Sequence, residues 1–237
     1  KIMGLERFHG ESAPNAEMKC LCTIVVDVSG TMEPCIGELN EALRNFFKDI
    51  EYGNGVPEST KEQLEVCIIA FDQDVMFKRN PSLLDQGEMP PRLVTRGSTT
   101  ESVAALEAAI QMTNDRKEFY KETGQPYYRP WIVFMTDGEP NPYDEAKIAD
   151  LETRIKQDAK NRSYYIQGLG VGSQISERTI KRLTAGNAQQ LKGTNFGAFF
   201  KWLSNSMSII VSSKPGQKVD ISGGQSEWMK PFDSFEI

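Results

Sequence analysis

Three oxygen-bearing side chains follow an apolar segment near the start of the chain. Asp27, Ser29 and Thr31 occur at alternate positions in "CTIVVDVSGTMEP", where a strand-like segment ends and a helical pattern begins. Open α/β sheets bind their ligands at strand-to-helix turns of this kind. A carboxylate and two hydroxyls there could cap a helix, hold a phosphate, act as a nucleophile or bind a cation. The remaining sequence has to distinguish these four roles.

Two further polar clusters occur at comparable places. Asp137 ends the apolar segment "WIVFMTD", and "TRGSTTES" brings Thr99, Thr100 and Ser102 before a helical pattern. Taken singly, such residues are typical of caps and turns. Because parallel strands end along one edge of their sheet, the clusters converge if their strands are neighbours. Carboxylate and hydroxyl oxygens without nitrogen or sulfur favour a hard cation, so the sequence predicts a magnesium or manganese site.

The elements that must position these clusters alternate along the chain. Strand-like apolar segments are "LCTIVVD", "LEVCIIAFD", "WIVFMTD" and "YYIQGLGVG". Helical spacing occurs in "IGELNEALRNFFKDI", "ESVAALEAAIQMTNDR", "DEAKIADLETRIKQDAK" and "NFGAFFKWLSNSMSIIV". This alternation predicts an α/β fold with a doubly wound, mostly parallel sheet and helices on both faces. In "FDQDVMFKR" a second strand directly follows the first, which predicts a tight hairpin and one antiparallel edge strand.

The composition is that of a globular protein with enough apolar residues for one core. The formal net charge of −6 argues against nucleic-acid binding, and no apolar run is long enough to span a bilayer. No CxxC pair is present and the single histidine is His9. The sequence therefore offers few sulfur and imidazole ligands for a zinc site and only one histidine for a Ser-His relay. The cysteines are expected to be small buried hydrophobic residues in a reducing compartment. They are Cys20, Cys22, Cys35 and Cys67.

The polar clusters together resemble a known family. "DVSGT" is similar to the Asp-x-Ser-x-Ser/Thr motif of von Willebrand factor A domains, whose metal-ion-dependent adhesion site includes a distant threonine and a distant aspartate. The resemblance implies a Rossmann-like fold, a bound Mg²⁺ or Mn²⁺ ion, and a protein partner that supplies an Asp or Glu carboxylate to the metal. The metal ligands that it implies are Asp27, Ser29, Thr31, Thr100 and Asp137.

A subgroup of that family is the most similar. "TDGEPN" and "FFKWLSNSMS" resemble the cytoplasmic single-domain members encoded with bacterial tellurium-resistance genes. This implies a stress-response setting in the cytoplasm, with kinases or phosphatases among the partners that the family allows. Where those relatives carry Gly-Gly-Thr, this chain has Ser98-Thr99-Thr100. The family register selects Thr100, and the replaced glycines leave the choice between Thr99 and Thr100 open.

The two ends of the chain differ from the segment between them. We expect an N-terminal extension at 1–19, a von Willebrand factor A domain at 20–212 and a C-terminal tail at 213–237. The tail is rich in Ser, Gly, Pro and Lys, which is typical of an extended segment rather than a second domain. Trp228 and Phe232 are the residues expected to anchor it on the domain.

An enzymatic alternative starts from the same residues. "DVSGT" differs at one position from the Asp-x-Asp-x-Thr motif of haloacid-dehalogenase-type phosphatases, where the first Asp is the nucleophile and the second the acid. Ser29 occupies the second position and cannot protonate a leaving group. "GLGVG" from Gly168 lacks the full spacing of a dinucleotide loop. We therefore expect a binding module and no enzyme, with a magnesium-dependent phosphatase that uses Asp27 as the alternative.

Overall fold

A computed structural model describes residues 2–3, 15–214 and 217–230 of the protein. Within these residues, eight strands form one sheet and seven α-helices accompany it. The strands are Ile2–Met3 (β1), Cys20–Asp27 (β2), Leu64–Phe71 (β3), Val75–Ser82 (β4), Trp131–Thr136 (β5), Tyr165–Gly170 (β6), Ala188–Leu191 (β7) and Met229–Lys230 (β8). The helices are Ile36–Tyr52 (α1), Thr60–Gln63 (α2), Ser102–Glu122 (α3), Glu145–Lys160 (α4), Glu177–Arg182 (α5), Phe196–Val211 (α6) and Gln225–Trp228 (α7).

The strand order identifies the place where a ligand would bind. The order across the sheet is β1-β4-β3-β2-β5-β6-β7-β8, and β2 pairs in parallel with both β3 and β5. The strand order therefore reverses at β2. In sheets of this type the crevice beyond the carboxyl ends of the strands at such a reversal holds the ligand. The doubly wound, mostly parallel fold predicted from the sequence is confirmed.

Two pairs of neighbouring strands in the sheet are antiparallel. β4 follows β3 as a hairpin, with Phe71 opposite Val75, which confirms the predicted turn. β4 nevertheless lies one position inside the edge, because Ile2 pairs in parallel with Val75 on its outer side. At the opposite edge, β8 pairs antiparallel with β7. The antiparallel strand that lies at an edge is therefore β8, which the sequence patterns did not indicate.

Helices cover both faces of the sheet and separate the core into two layers. Alternate residues of β2 enter different layers: Cys20 and Cys22 face α1 and α6, whereas Leu21 and Val25 face α3, α4 and α5. The four cysteines are buried and free, as predicted. The helix predicted from the spacing in "NFGAFFKWLSNSMSIIV" is α6, which has a stripe of buried apolar residues. This stripe consists of Phe196, Phe199, Phe200, Leu203 and Met207.

The described part of the C-terminal tail packs on α6. Trp228 is fully buried, and its ring centroid lies 5.0 Å from that of Phe199 and 5.1 Å from that of Trp202. The indole N–H of Trp202 donates to the carbonyl of Ile221 at 2.7 Å. Trp228 thus anchors the tail as expected, while Phe232 lies outside the described residues. Among the helices that the structure describes, none has the length and apolar character needed to cross a membrane.

Candidate functional site

Asp27 ends β2 and is fully buried, and hydrogen bonds fix both of its carboxylate oxygens. Oδ1 accepts from the backbone N–H of Ser29 at 2.8 Å, which closes a tight turn after the strand. Oδ2 accepts from the hydroxyl of Thr136, the last residue of β5, at 2.7 Å. Asp27 therefore connects the ends of two adjacent strands. Each carboxylate oxygen retains a second lone pair that can accept from a further donor.

A chain of hydrogen bonds joins the first polar cluster to the distant aspartate. The hydroxyl of Ser29 lies 3.0 Å from that of Thr31, and the Thr31 hydroxyl donates to Oδ1 of Asp137 at 2.9 Å. Ser29 is buried, Thr31 is exposed, and Asp137 is half-buried. The two clusters converge because β2 and β5 are neighbours with parallel register. Their oxygens form one continuous group at the carboxyl edge of the sheet.

Backbone pairing brings the loop at 96–101, which contains Thr99 and Thr100 and is called the threonine loop, to the same edge. The N–H of Thr100 donates to the carbonyl of Asn141 at 2.9 Å, and the N–H of Asn141 donates back at 3.0 Å. Gly97 adopts a left-handed φ of +73°, whereas Ser98 and Thr99 keep ordinary negative φ values. The loop thus follows its path with side chains, and no glycine, at positions 98 and 99.

A pocket of about 360 Å³ opens at this edge. Its wall includes Ser29, Thr31 and Thr100, but Thr99 does not contribute to it. Neither Asp27 nor Asp137 forms part of the wall, so the carboxylates lie behind the hydroxyls. An occupant of the pocket would meet hydroxyl oxygens directly, and water molecules could connect it to the carboxylates.

Among the solved structures with this arrangement of strands and helices are proteins described as von Willebrand factor type A proteins or domains. One is a von Willebrand factor type A protein from Catenulispora acidiphila, with a TM-score of 0.58, 12% identity, and coverage of 81% of this chain and 43% of that chain. Another is the domain of the type V pili tip protein Mfa5 from Porphyromonas gingivalis, with a TM-score of 0.58, 11% identity, and coverage of 85% and 99%. The chain has the von Willebrand factor A fold.

A third structure with the von Willebrand factor A fold is the ArnB paralog VWA2 from Sulfolobus acidocaldarius. Its TM-score is 0.50 at 16% identity, with coverage of 83% of this chain and 45% of that chain. This chain spans less than half the length of the first three solved structures that it matches. No protein-family model and no curated protein matches the sequence. At these identities the likeness concerns the fold alone.

The electrostatics of this edge of the von Willebrand factor A fold disfavour two bare carboxylates. Burial raises the pKa of Asp137 to about 6, the hydrogen bond from Thr31 lowers it, and the nearby Asp27 raises it. Burial likewise raises the pKa of Asp27, and the hydrogen bonds from Ser29 and Thr136 oppose that rise. Because desolvation and like charge both disfavour the ionised forms, a positive charge at this place would stabilise them.

The donor chemistry at this edge fits a hard divalent cation. The five side chains selected from the sequence supply only oxygen, two as carboxylates and three as hydroxyls. Within the residues that the structure describes, no group of three or more His, Cys, Asp or Glu side chains could hold a metal ion. A cation bound here would therefore depend on the hydroxyls as well as the carboxylates. Oxygen donors with few charges suit Mg²⁺, which keeps several water molecules of its own.

Asp72 and Thr136 also belong to this edge, although the sequence patterns did not indicate a role for them. Asp72 follows β3 as Asp27 follows β2, and it is fully buried. Its Oδ2 accepts from Nε of Arg96 at 2.7 Å, and its carbonyl accepts from the N–H of Glu101 at 2.9 Å. Asp72 therefore holds both ends of the threonine loop. The strand-end aspartate in "LEVCIIAFD" was the signal that could have identified it.

Proposed function

We propose that the chain is a metal-dependent protein-interaction module. Its site holds a Mg²⁺ or Mn²⁺ ion at the carboxyl edge of the sheet and captures an Asp or Glu carboxylate of a partner protein. When bound, the cation supplies the positive charge that attracts this carboxylate. The residues that would hold it are Asp27, Ser29, Thr31, Thr100 and Asp137.

One observation carries the proposal. The hydrogen-bonded chain from Ser29 through Thr31 to Asp137 gathers oxygens from two strand ends beside an open pocket. A purely structural network would be expected to bury its hydroxyls, yet Thr31 is exposed. The position also supports a binding role, because it lies at the reversal of strand order.

The charge balance explains why an acidic partner fits. Asp27 and Asp137 together offset a divalent charge, and the hydroxyl ligands of the site are neutral and add no further charge. An incoming carboxylate then meets no excess of negative charge from this chain's own ligands.

A neighbour of the same fold also supports an interaction role. The Mfa5 domain, which has the same fold, belongs to a protein at the tip of a pilus.

The biological setting that we propose is a bacterial tellurium-resistance or stress-response system in the cytoplasm. Its support is the sequence resemblance of "TDGEPN" and "FFKWLSNSMS". Kinases and phosphatases are among the partner classes that this resemblance allows.

A phosphatase that uses Asp27 as its nucleophile receives less support. The side chain of Asp27 is fully buried, and both of its oxygens accept hydrogen bonds from the protein. A nucleophilic carboxylate needs one oxygen free to approach phosphorus in line. Purified protein with Mg²⁺ should therefore leave a generic phosphomonoester intact, and Ser29→Asp should not create such activity. Metal-dependent turnover that Asp27→Asn abolishes would favour the phosphatase.

The experiment that tests the proposed function is capture of partners with and without metal. The protein is immobilised, and an extract of its native cells is applied in Mg²⁺ and again in EDTA. We expect a defined set of proteins that is retained in Mg²⁺ and released by EDTA, and that Asp27→Asn fails to retain. Circular dichroism of the variant checks that it is folded. Retention that is the same in EDTA and in the variant would contradict the proposal.

A further inference from the structure

A second and larger pocket, of about 660 Å³, lies at the opposite edge of the sheet. Its wall includes Trp131 and Tyr165, the first residues of β5 and β6. Asp137 follows the last residue of β5. The second pocket and Asp137 therefore lie at opposite ends of this strand, which spans roughly 17 Å. The second pocket is therefore independent of the candidate metal site.

Among the described residues that line this pocket, four have cationic side chains and none is Asp or Glu. They are Arg129, Arg162, Lys214 and Lys218. Within the described residues none of the four forms an ion pair, although the chain as a whole carries a formal net charge of −6. A concentration of positive charge without internal carboxylates is the arrangement expected of a site for an anion.

Arg129 is held in place with a donor to spare. Its Nη2 donates to the carbonyl of Tyr164, which fixes the guanidinium at the pocket wall. Its Nε is buried and has no hydrogen-bond partner in the structure. Burial, and then the charge of Arg162, lower the pKa of Arg129. Since buried donors are almost always satisfied in folded proteins, an acceptor from outside the chain would complete this group.

Rings and aliphatic groups form most of the remainder of the wall, together with Ser213 and Gln217. The ring centroids of Trp131 and Tyr165 lie 4.4 Å apart, and the hydroxyl of Tyr128 donates to the carbonyls of Val211 and Ser213. The aliphatic residues in the wall are Ile210, Val219 and Ile221. These groups offer a planar or apolar ligand both stacking and dispersion contacts.

We propose that this pocket binds a small anionic ligand with a planar ring, and that nucleoside phosphates are the class it fits. The guanidinium groups of Arg129 and Arg162 match phosphate oxygens in geometry and charge, and the lysines add point charges. Trp131 is buried against Tyr165 and Trp202, so the half-buried rings of Tyr128 and Tyr165 accept the base by stacking, which is tolerant of its identity. The volume falls within the range of roughly 300–1,000 Å³ that is usual for small-molecule sites.

Calorimetric titration in EDTA tests the proposal without any contribution from the candidate metal site. The probes are ATP, inorganic tripolyphosphate and adenosine. We expect ATP to bind, and its two separate halves to bind at least about tenfold more weakly, because each makes only part of the contacts. The double variant Arg162→Gln/Lys218→Gln should weaken ATP binding by about tenfold or more, because the loss of a hydrogen bond between charged groups typically lowers affinity by about that factor.

The two substituted residues are exposed and make no ion pair among the described residues, so the variant should fold normally. The matched control is Arg44→Gln, an exposed arginine on α1 that lies outside the pocket wall and should leave ATP affinity unchanged. Absence of ATP binding at millimolar concentration would overturn the proposal. Equal affinity in the double variant would place ATP elsewhere and overturn it too. Tripolyphosphate binding as tightly as ATP would exclude the role given to the rings.

Discussion

Thr31 donates its hydroxyl hydrogen to Oδ1 of Asp137 over 2.9 Å, although 106 positions separate the two residues. This bond exists because β2 and β5 are adjacent and parallel, so that the turns after them leave the sheet side by side. It connects the motif after β2 to the aspartate after β5. The predictions for the candidate metal site start from this pair.

Thr31→Val should weaken Mg²⁺ binding by roughly 10- to 100-fold, the range expected for losing a hydrogen bond to a charged group. The variant keeps the shape of the side chain but removes the hydroxyl that lies between Ser29 and Asp137. Calorimetric titration measures the change. The control is Thr153→Val, an exposed threonine on α4 whose hydroxyl bonds within its own helix. Equal losses in both variants would exclude a specific role for Thr31.

Affinity for Mg²⁺ should fall as the pH is lowered through about 6. Burial raises the pKa of Asp137 to about 6, so below that pH a proton occupies the carboxylate that the metal requires. We expect affinity at pH 5 to be about tenfold lower than at pH 7.5, and binding near pH 6 to release a proton.

The contribution of Asp137 to folding stability without metal changes with pH in the opposite direction to the Mg²⁺ affinity. Because the folded-state pKa of Asp137 exceeds its ordinary value of 3.8, its contribution to stability without metal is fully present below that value. That contribution is lost as the pH rises through about 6.

For the prediction on Mg²⁺ affinity, titrations of Mg²⁺ in two buffers with different ionisation enthalpies measure the proton that metal binding releases. An affinity that stays constant between pH 5 and pH 7.5 would show that Asp137 does not take part.

Thr100→Val should weaken Mg²⁺ binding more than Thr99→Val. Thr100 forms part of the pocket wall and Thr99 does not, although the two are adjacent in the loop. The pair serves as its own matched control, because both variants remove one hydroxyl and keep the β-branched shape. A larger effect of Thr99→Val in the same titration would place the ligand one position earlier.

Gly97→Ala should destabilise the domain more than Gly87→Ala. Both glycines have left-handed φ values, +73° and +75°, so each alanine variant carries the cost of roughly 1–2 kcal/mol for that conformation. At Gly97 the added Cβ would also lie 3.2 Å from Oδ2 of Asp72, whereas at Gly87 it would meet nothing within 4 Å. Urea unfolding measures the difference. Equal free energies of unfolding for the two variants would indicate that the loop adjusts freely around Asp72.

The sequence was informative where apolar strands end in oxygen-bearing residues. β2, β3 and β5 each contain a continuous apolar segment, because strands covered by helices on both faces are buried throughout. The positions of Asp27 and Asp137 then followed from the common edge of parallel strands. Their proximity also required β2 and β5 to be neighbours, which the patterns alone could not establish.

Strands with weak sequence signals were missed. β7 reads "AQQL", in which Gln190 is buried and its amide bonds to the carbonyl of Gly172. Glutamine is not typical of a buried strand, so only the tertiary contact accounts for it. β8 has two residues, and its position depends on the burial of Trp228 rather than on any local pattern.

The ion pair between Asp72 and Arg96 was missed for a different reason. Asp72 was visible as a strand-end aspartate, but Arg96 lies 24 residues later in a segment without a motif. The fold brings them together because the N–H of Arg96 donates to the carbonyl of Val28, the residue after Asp27. Contacts of this kind depend on the path of a loop, which sequence patterns do not specify.

Calorimetric titration of Mg²⁺ into the wild type and into Asp27→Asn decides whether a metal ion binds at this edge of the sheet. The variant keeps the shape of a fully buried side chain and can still accept from the N–H of Ser29. Asp150→Asn, an exposed aspartate on α4, serves as the control for the loss of one negative charge. We predict one Mg²⁺ site in the wild type and in Asp150→Asn, and none in Asp27→Asn. A site of equal affinity in all three proteins would contradict the account.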